Sequence, residues 1–173
     1  MHLSGQKINL RALEPEDLEF LYEIENNELF WEVSHTQAPF SKYVLKQYLE
    51  NAHLDLFEAK QLRLIMEDKN TKKRMGMIDL FDFDPKHLRA GIGILVHPKF
   101  QKKGIATSAL EMMINYAFSQ LNLHQLYANI TQDNLQSIAL FKKNNFVFVG
   151  EKKDWIRANG VYKSELLFQL INE

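Results

Sequence analysis

Apolar positions along the chain alternate between short strand-like runs and longer stretches with helical spacing. The strand-like runs cover residues 8–13, 62–66, 75–83, 87–96, 126–130, 146–149 and 161–170. Helical spacing follows Pro15 and Ser41, starts again near Gly104, and runs a last time from Asp133 or Asn134 to Lys143. The resulting order, β-α-α-β-β-β-α-β-α-β-β, predicts one mixed α/β domain over residues 1–173, with about seven strands and about four helices.

Two local patterns predict turns between neighbouring strands, and one segment shows no pattern of a helix or a strand. The runs 62–66 and 75–83 flank a polar turn, so we expect them to form a hairpin. The turn Ala158-Asn159-Gly160 separates the last two strands in the same way. Residues 30–40 show no clear period, and we expect an irregular connection between the first two helices there.

Composition narrows the classes of protein. Hydrophobic residues make up 46%, charged residues 25%, and the net charge is −1, so no overall field attracts nucleic acid or anionic lipid. The lack of cysteine excludes disulfides, Cys-ligated zinc and a Cys nucleophile. Met1–Leu13 has no apolar segment of signal-peptide length, and no run reaches about 18 apolar residues. We therefore expect a cytoplasmic protein with no membrane partner.

A short polar loop connects the apolar strand ending at Val96 to the clearest helix. We call it the phosphate loop, and it comprises Gln101, Lys102, Lys103, Gly104, Ile105, Ala106 and Thr107. Backbone N–H groups at a helix start have no partner within the helix and can bind an anion. Gly104 removes the side chain that would keep a phosphate away from this backbone. The loop lacks the spacing of a P-loop or a dinucleotide site.

The loop and a second motif together resemble the GCN5-related N-acetyltransferase (GNAT) family. Residues 101–106 fit the family's acyl-CoA pattern Gln/Arg-x-x-Gly-x-Gly/Ala. The second family motif appears here as Asn134, Ser137, Phe141, Lys143, Asn145 and Phe146. Within the family, the chain most resembles the branch of spermidine and ribosomal-protein N-terminal acetyltransferases. The resemblance implies a mixed, mostly antiparallel sheet and acetyl-CoA as co-substrate, without a metal.

The resemblance also implies where acetyl-CoA binds. The pantetheine arm pairs with the exposed end of the strand at Ile94, Leu95 and Val96, and the Val96 N–H stabilises the developing oxyanion. The pyrophosphate accepts hydrogen bonds from the phosphate loop. Lysines near the loop and Lys143 favour contacts with these phosphates rather than with nucleic acid. The face of the last helix that lines the pantetheine and the sulfur carries Asn134, Ser137 and Phe141.

An amine acceptor must lose a proton before it attacks the thioester. With a pKa of about 10.4, a lysine-like amine costs roughly 4–5 kcal/mol to neutralise at pH 7. Glu32, in the irregular segment, is the candidate base, acting directly or through water. Glu28 and His97 are alternatives, and a solvated loop acid is the plain structural interpretation of Glu32.

Phe141 departs from the family, which has a tyrosine there to protonate the leaving thiolate. Because a thiol has a pKa near 8.5, the missing proton is worth only about 2 kcal/mol at pH 7. Ser137, one turn earlier on the same face, or a water molecule is the candidate donor. We therefore expect a working enzyme.

The predicted reaction moves an acetyl group to the primary amine of a small, polyamine- or diamine-like molecule by direct attack in a ternary complex. The alternatives are acetylation of a protein N-terminus of the ribosomal type and a non-catalytic acyl-CoA-binding domain. A homodimer is possible on the family pattern. Asp79, Asp82 and Asp84 are better explained by a strand end and a turn than by a metal site.

Overall fold

The computed structural model describes residues 3–173, so Met1 and His2 of the predicted domain lie outside the described residues. The strands are β1 (Ile8–Arg11), β2 (Leu62–Asp68), β3 (Arg74–Asp84), β4 (Arg89–Val96), β5 (Gln125–Thr131), β6 (Val147–Ala158) and β7 (Val161–Ile171). The helices are α1 (Leu18–Glu25), α2 (Glu28–Ser34), α3 (Lys42–Glu50), α4 (Leu56–Ala59), α5 (Ile105–Ser119) and α6 (Leu135–Lys143). Short 3₁₀ turns cover Pro15–Asp17 and Pro98–Phe100.

All seven strands form one sheet in the order β1-β2-β3-β4-β5-β7-β6. Every neighbouring pair is antiparallel except β4 and β5. The predicted hairpin is present as β2–β3. The mixed, mostly antiparallel sheet of seven strands is confirmed.

The described residues contain two more helices than the sequence predicts. The segment predicted to be irregular contains α2, whose N-terminus is capped by the Asn27 side chain, which accepts a hydrogen bond from the Leu29 N–H at 3.1 Å. Leu29 and Val33 of this helix stay exposed, so its apolar residues do not fall on one buried face. The four-residue α4 is capped by Asp55, whose side chain accepts from two backbone N–H groups. Both helices are too short and irregular in pattern for periodicity to detect.

Strand β6 is also longer than its apolar run, which covers only 146–149. It continues to Ala158 through a mostly polar and exposed segment, because it pairs with β7 on both sides of an irregularity between Lys152 and Ile156. Asn159 and Gly160, with φ of 51° and 79°, form the predicted turn between the two strands.

Two apolar clusters lie on opposite faces of the sheet. The larger contains the buried face of α5 together with Ile92 and is joined by Ile94. The smaller packs α1, α2 and α3 against Ile65, Met77 and Leu95. Successive residues of β4 thus contribute to opposite faces, as expected of a strand covered on both sides.

The parallel strands β4 and β5 separate soon after they begin. They pair only through residues 89–91 and 125–127. On the other edge of β4, the His97 N–H donates to the Met75 carbonyl at 2.8 Å, and Val96 lies opposite Gly76. Because hydrogen-bonded and non-hydrogen-bonded pairs alternate along an antiparallel ladder, the N–H groups of Val96 and Ile94 point towards β5. The gap between β4 and β5 therefore has backbone donors along one side.

Candidate active site

The phosphate loop presents backbone donors at the start of the longest helix. Lys102 and Gly104 have φ of 60° and 76°, so the chain curls before α5 begins at Ile105. A Cβ built on Gly104 would meet no atom within 4 Å, so the glycine serves the left-handed backbone and leaves the approach open. Ile105 turns its side chain into the core, whereas Lys102 and Lys103 are exposed beside the loop. The loop has the donor geometry that a pyrophosphate requires.

Gln101 attaches the loop to the strand that precedes it. Its side-chain amide donates to the Val96 carbonyl at 3.0 Å. That bond uses the carbonyl and leaves the Val96 N–H pointing into the gap between β4 and β5. Gln101 thus holds the last residue of β4 relative to the phosphate loop.

A cleft of about 200 Å³ joins the end of β4, the start of α5 and the start of α6; we call it the cofactor cleft. The residues predicted for acetyl-CoA that line it are Ile94, Leu95, Val96, Gln101, Ala106, Asn134 and Ser137. Leu29, Phe30 and Val33 of α2 close its other side, and the sequence did not indicate them. The structure therefore brings half of the predicted cofactor residues together in this cleft.

Asn134 and Lys143 differ in their relation to this cleft. Asn134 caps α6, and its side-chain oxygen accepts from the Ser137 N–H at 3.2 Å. Lys143 is exposed at the opposite end of the nine-residue helix, roughly 13 Å along its axis. A lysine in the last turn stabilises the helix dipole, and Lys143 does not line the cofactor cleft.

Phe141 is buried below the cleft. It is 3% exposed and packs edge-on against Phe146, with ring centroids 5.0 Å apart. It borders a small cavity of about 50 Å³ together with Ser137 and Ile94. This cavity lies where β4 and β5 separate, so both Phe141 and Ser137 are near the innermost part of the gap.

Glu32 occupies the other side of that gap, on helix α2 rather than in a loop. The Lys163 ammonium donates to Glu32 Oε1 at 2.7 Å and to Asp133 Oδ2 at 2.6 Å. Glu28 and Glu32 line an open depression of about 1000 Å³ between Trp31 and Trp155. Glu32 thus lies between the inner cavity and a wide surface opening, since it borders both.

The opposite wall of the gap carries a buried arginine between two acids. Arg63 donates to both carboxylate oxygens of Asp79, at 2.9 and 2.6 Å, and to Glu25. Burial lowers the pKa of Arg63, but the charge and hydrogen bonds of Asp79 outweigh it and raise the pKa above its ordinary value. These residues border a further cavity of about 310 Å³ that also reaches Gly93 of β4.

Sequence reasoning missed Glu165, which is only 4% exposed. It lies on β7 opposite Thr131 and Lys152, and the Lys152 ammonium is 2.5 Å from its carboxylate. His35, at the end of α2, is 3.9 Å away. An acid within a predicted strand was the available signal, but its partners come from distant parts of the chain.

His97, the alternative base, makes contacts that are typical of a residue with a structural role. Its ring accepts from the Lys99 N–H at 3.2 Å and contacts Glu23 at 3.0 Å. It borders a separate depression near Tyr22 and Phe100. His97 therefore directly follows the last residue of β4, beside Pro98, and does not line the cavity that Glu32 borders.

The aspartates considered for a metal site are involved in local structure. Asp84 accepts from the N–H groups of Lys86 and His87, which forms the turn after β3. Asp79 binds Arg63. Within residues 3–173, no group of three or more His, Cys, Asp or Glu residues could hold a metal ion. The same residues include no helix that is long and apolar enough to cross a membrane.

The sequence matches a known protein family over most of its length. The model of the acetyltransferase (GNAT) domain matches residues 7–147, which is most of the chain. This chain belongs to the GNAT family. The predicted resemblance is confirmed, and the protein is an acetyl-CoA-dependent N-acetyltransferase.

Several relatives and solved structures are similar over nearly the whole chain. Spermidine N(1)-acetyltransferase of Escherichia coli strain K12 is 28% identical over 166 residues, covering 94% of this chain and 85% of the relative. A putative ribosomal N-acetyltransferase of Bacillus subtilis, YdaF, is 27% identical over 174 residues, covering 96% and 92%. The structure of Vibrio cholerae spermidine N-acetyltransferase in complex with CoA and spermine superimposes with a TM-score of 0.88 at 26% identity, covering 96% of each chain.

Proposed function

We propose that this enzyme acetylates a primary amine of a small, polyamine- or diamine-like molecule by direct attack on acetyl-CoA. The observation that carries the proposal is the charge around the gap on the side of α1 and α2, which we call the acceptor face. Its acids are Glu25, Glu28, Glu32, Asp79, Asp133 and Glu165. Its cations are Arg63, Lys152, Arg157 and Lys163. The excess of carboxylates favours an acceptor that carries several ammonium groups.

The cofactor cleft supplies the other half of the reaction. In the proposed complex, the phosphate loop binds the pyrophosphate, and the N–H groups of Ile94 and Val96 hydrogen-bond the pantetheine and the thioester oxygen. A backbone donor held by the β3–β4 ladder requires no reorganisation as that oxygen becomes negative. The amine enters from the acceptor face and meets the thioester within the gap.

The chemical step forms a C–N bond and breaks the C–S bond. We propose that Glu32, directly or through water, takes the proton that the amine loses. The leaving thiolate takes a proton from Ser137 or from water, since Phe141 has none to give. In support of this proposal, Ser137 and Phe141 line the same small cavity as Glu32.

A second candidate acceptor is a protein N-terminus. Two observations favour it: the similarity to the putative ribosomal N-acetyltransferase and the wide depression between Trp31 and Trp155. An extended peptide fits an open depression better than an enclosed pocket does. The net negative charge of the acceptor face favours a polyamine over a peptide with a single ammonium.

We also propose that the enzyme is a homo-oligomer. A dodecameric structure has been solved for the spermidine N-acetyltransferase of Vibrio cholerae, to which this chain is 27% identical. On this chain, the β6–β7 hairpin exposes Val147, Phe148, Trp155, Val161 and Tyr162. An exposed apolar group of this size is typical of an interaction surface. A cytoplasmic location stays a prediction.

The test is release of CoA thiol from acetyl-CoA with a panel of acceptors: spermidine, spermine, a diamine, an aminoglycoside and a short peptide. We expect the highest kcat/KM with the polyamines. Glu32→Gln should lower turnover about 100-fold, the usual scale for a general base, while Glu111→Gln on the exposed face of α5 should not. Glu28→Gln tests the alternative base in the same assay. Turnover with the peptide alone would overturn the polyamine proposal.

A further inference from the structure

Lys163 connects three elements of the acceptor face. It projects from β7, and its ammonium contacts Glu32 of α2 at 2.7 Å and Asp133, just after β5, at 2.6 Å. It precedes Glu165 by two residues, so both side chains lie on the same face of the strand. An ammonium group is therefore already bound beside the proposed base.

The geometry around Lys163 is what a substrate ammonium would require. A primary ammonium has three donors, and two carboxylates at hydrogen-bond distance satisfy two of them. The hydrogen bond that Lys163 donates to Asp133, followed by the one it donates to Glu32, raises the pKa of Lys163, so the side chain is charged at neutral pH. Lys163 and a protonated polyamine nitrogen are thus alternative ligands of the same carboxylates.

The ion pairs that Lys163 forms are more exposed to solvent than the ion pairs of Arg63 on the opposite wall. Asp133 is half exposed and Glu32 is partly exposed, so water reaches this ion pair. Arg63 and its two acids are better shielded, with side chains 10–19% exposed, and Arg63 binds Asp79 through two parallel hydrogen bonds. A flexible lysine in a solvated pair can be displaced at small cost, whereas a buried bidentate arginine cannot.

We propose that Lys163 is a specificity-determining residue that competes, as an internal ammonium, with an ammonium of the substrate for Glu32 and Asp133. This inference rests on the proposed function. When a substrate ammonium displaces Lys163, Glu32 loses its lysine partner and becomes available to the acceptor amine. The lysine therefore weakens binding of an acceptor with several ammonium groups, which can contact both Glu32 and Asp133, more than binding of an acceptor with only one.

The experiment compares the wild-type enzyme with Lys163→Gln and Lys163→Arg, using spermidine and a linear alkyl monoamine as acceptors. Lys163→Gln should lower the KM for spermidine about fivefold, the scale of one solvated ion pair, and should lower the KM for the monoamine by a smaller factor. Lys163→Arg, which keeps the charge, should retain or raise the spermidine KM. Lys153→Gln removes an equal charge from an exposed position on β6 and is the matched control.

Three results would overturn the inference. The spermidine KM of Lys163→Gln does not fall below that of Lys153→Gln; the KM for the monoamine falls by the same factor; or Lys163→Arg behaves like Lys163→Gln. Thermal unfolding of each variant reports whether it is folded, and Lys163→Met, which keeps the apolar stem, replaces the glutamine variant if that one unfolds. Failure of the proposed function is distinct, because wild-type enzyme would then release no thiol with any polyamine.

Discussion

The two sides of the gap between β4 and β5 are built in different ways. The cofactor cleft uses mainly backbone N–H groups from β4 and the phosphate loop, which are adjacent in sequence. The acceptor face uses charged side chains from α1, α2, β2, β3, β6 and β7 and from the loop after β5. Backbone donors are the same for every acyl-CoA enzyme with this loop, whereas each charged side chain can change independently. This difference explains why one sequence motif predicts the acetyl donor, acetyl-CoA, whereas no motif predicts the amine acceptor.

The largest expected effect concerns the stability of the acceptor face. Arg63→Met leaves the acids Glu25 and Asp79 without their shared cation, which should cost about 3–5 kcal/mol of unfolding free energy. Urea denaturation at neutral pH measures it. The matched control is Arg89→Met, which breaks an exposed pair with Asp84 at 3.3 Å and should cost at most about 1 kcal/mol. Equal losses would show that the acceptor face does not depend on this buried pair.

A change in the cofactor cleft should affect binding without affecting stability. Ala106→Asp places a carboxylate in the first turn of α5, where it favours the helix dipole but repels a pyrophosphate. We expect the KM for acetyl-CoA to rise about 30-fold, or roughly 2 kcal/mol, with no loss of thermal stability. Ala106→Ser, similar in size and uncharged, is the control. An unchanged KM would mean that the phosphates bind elsewhere.

The smallest effect is expected where the two sides meet. Phe141→Tyr supplies the acid that the family usually has, so turnover should stay the same or rise by at most about 30-fold, because the missing proton is worth only about 2 kcal/mol. Steady-state turnover with saturating acetyl-CoA measures it. Ser137→Ala in the same assay tests the alternative donor, and a variant with wild-type turnover would exclude serine. A large fall in Phe141→Tyr would instead show that the buried ring cannot accept a hydroxyl.

Most of the fold and the cofactor cleft could be predicted because their signals are local. The apolar face of α5 and the glycine before it lie within one short stretch. The prediction of an irregular segment at 30–40 was wrong because α2 is held by the Asn27 cap and by packing of Phe30, while its other apolar residues stay exposed. Lys143 belongs to a family motif, but the direction of α6 places it away from the cleft.

By itself, the sequence determined the order of the seven strands and of four of the helices, the acyl-CoA loop and the absence of cysteine chemistry. Only the tertiary structure decided which charges meet: Lys163 with Glu32 and Asp133, Arg63 with Glu25 and Asp79. Periodicity and capping act over a few residues and therefore leave a pattern in the chain. Ion pairs between distant elements depend on how helices and strands pack, and no spacing in the sequence records that.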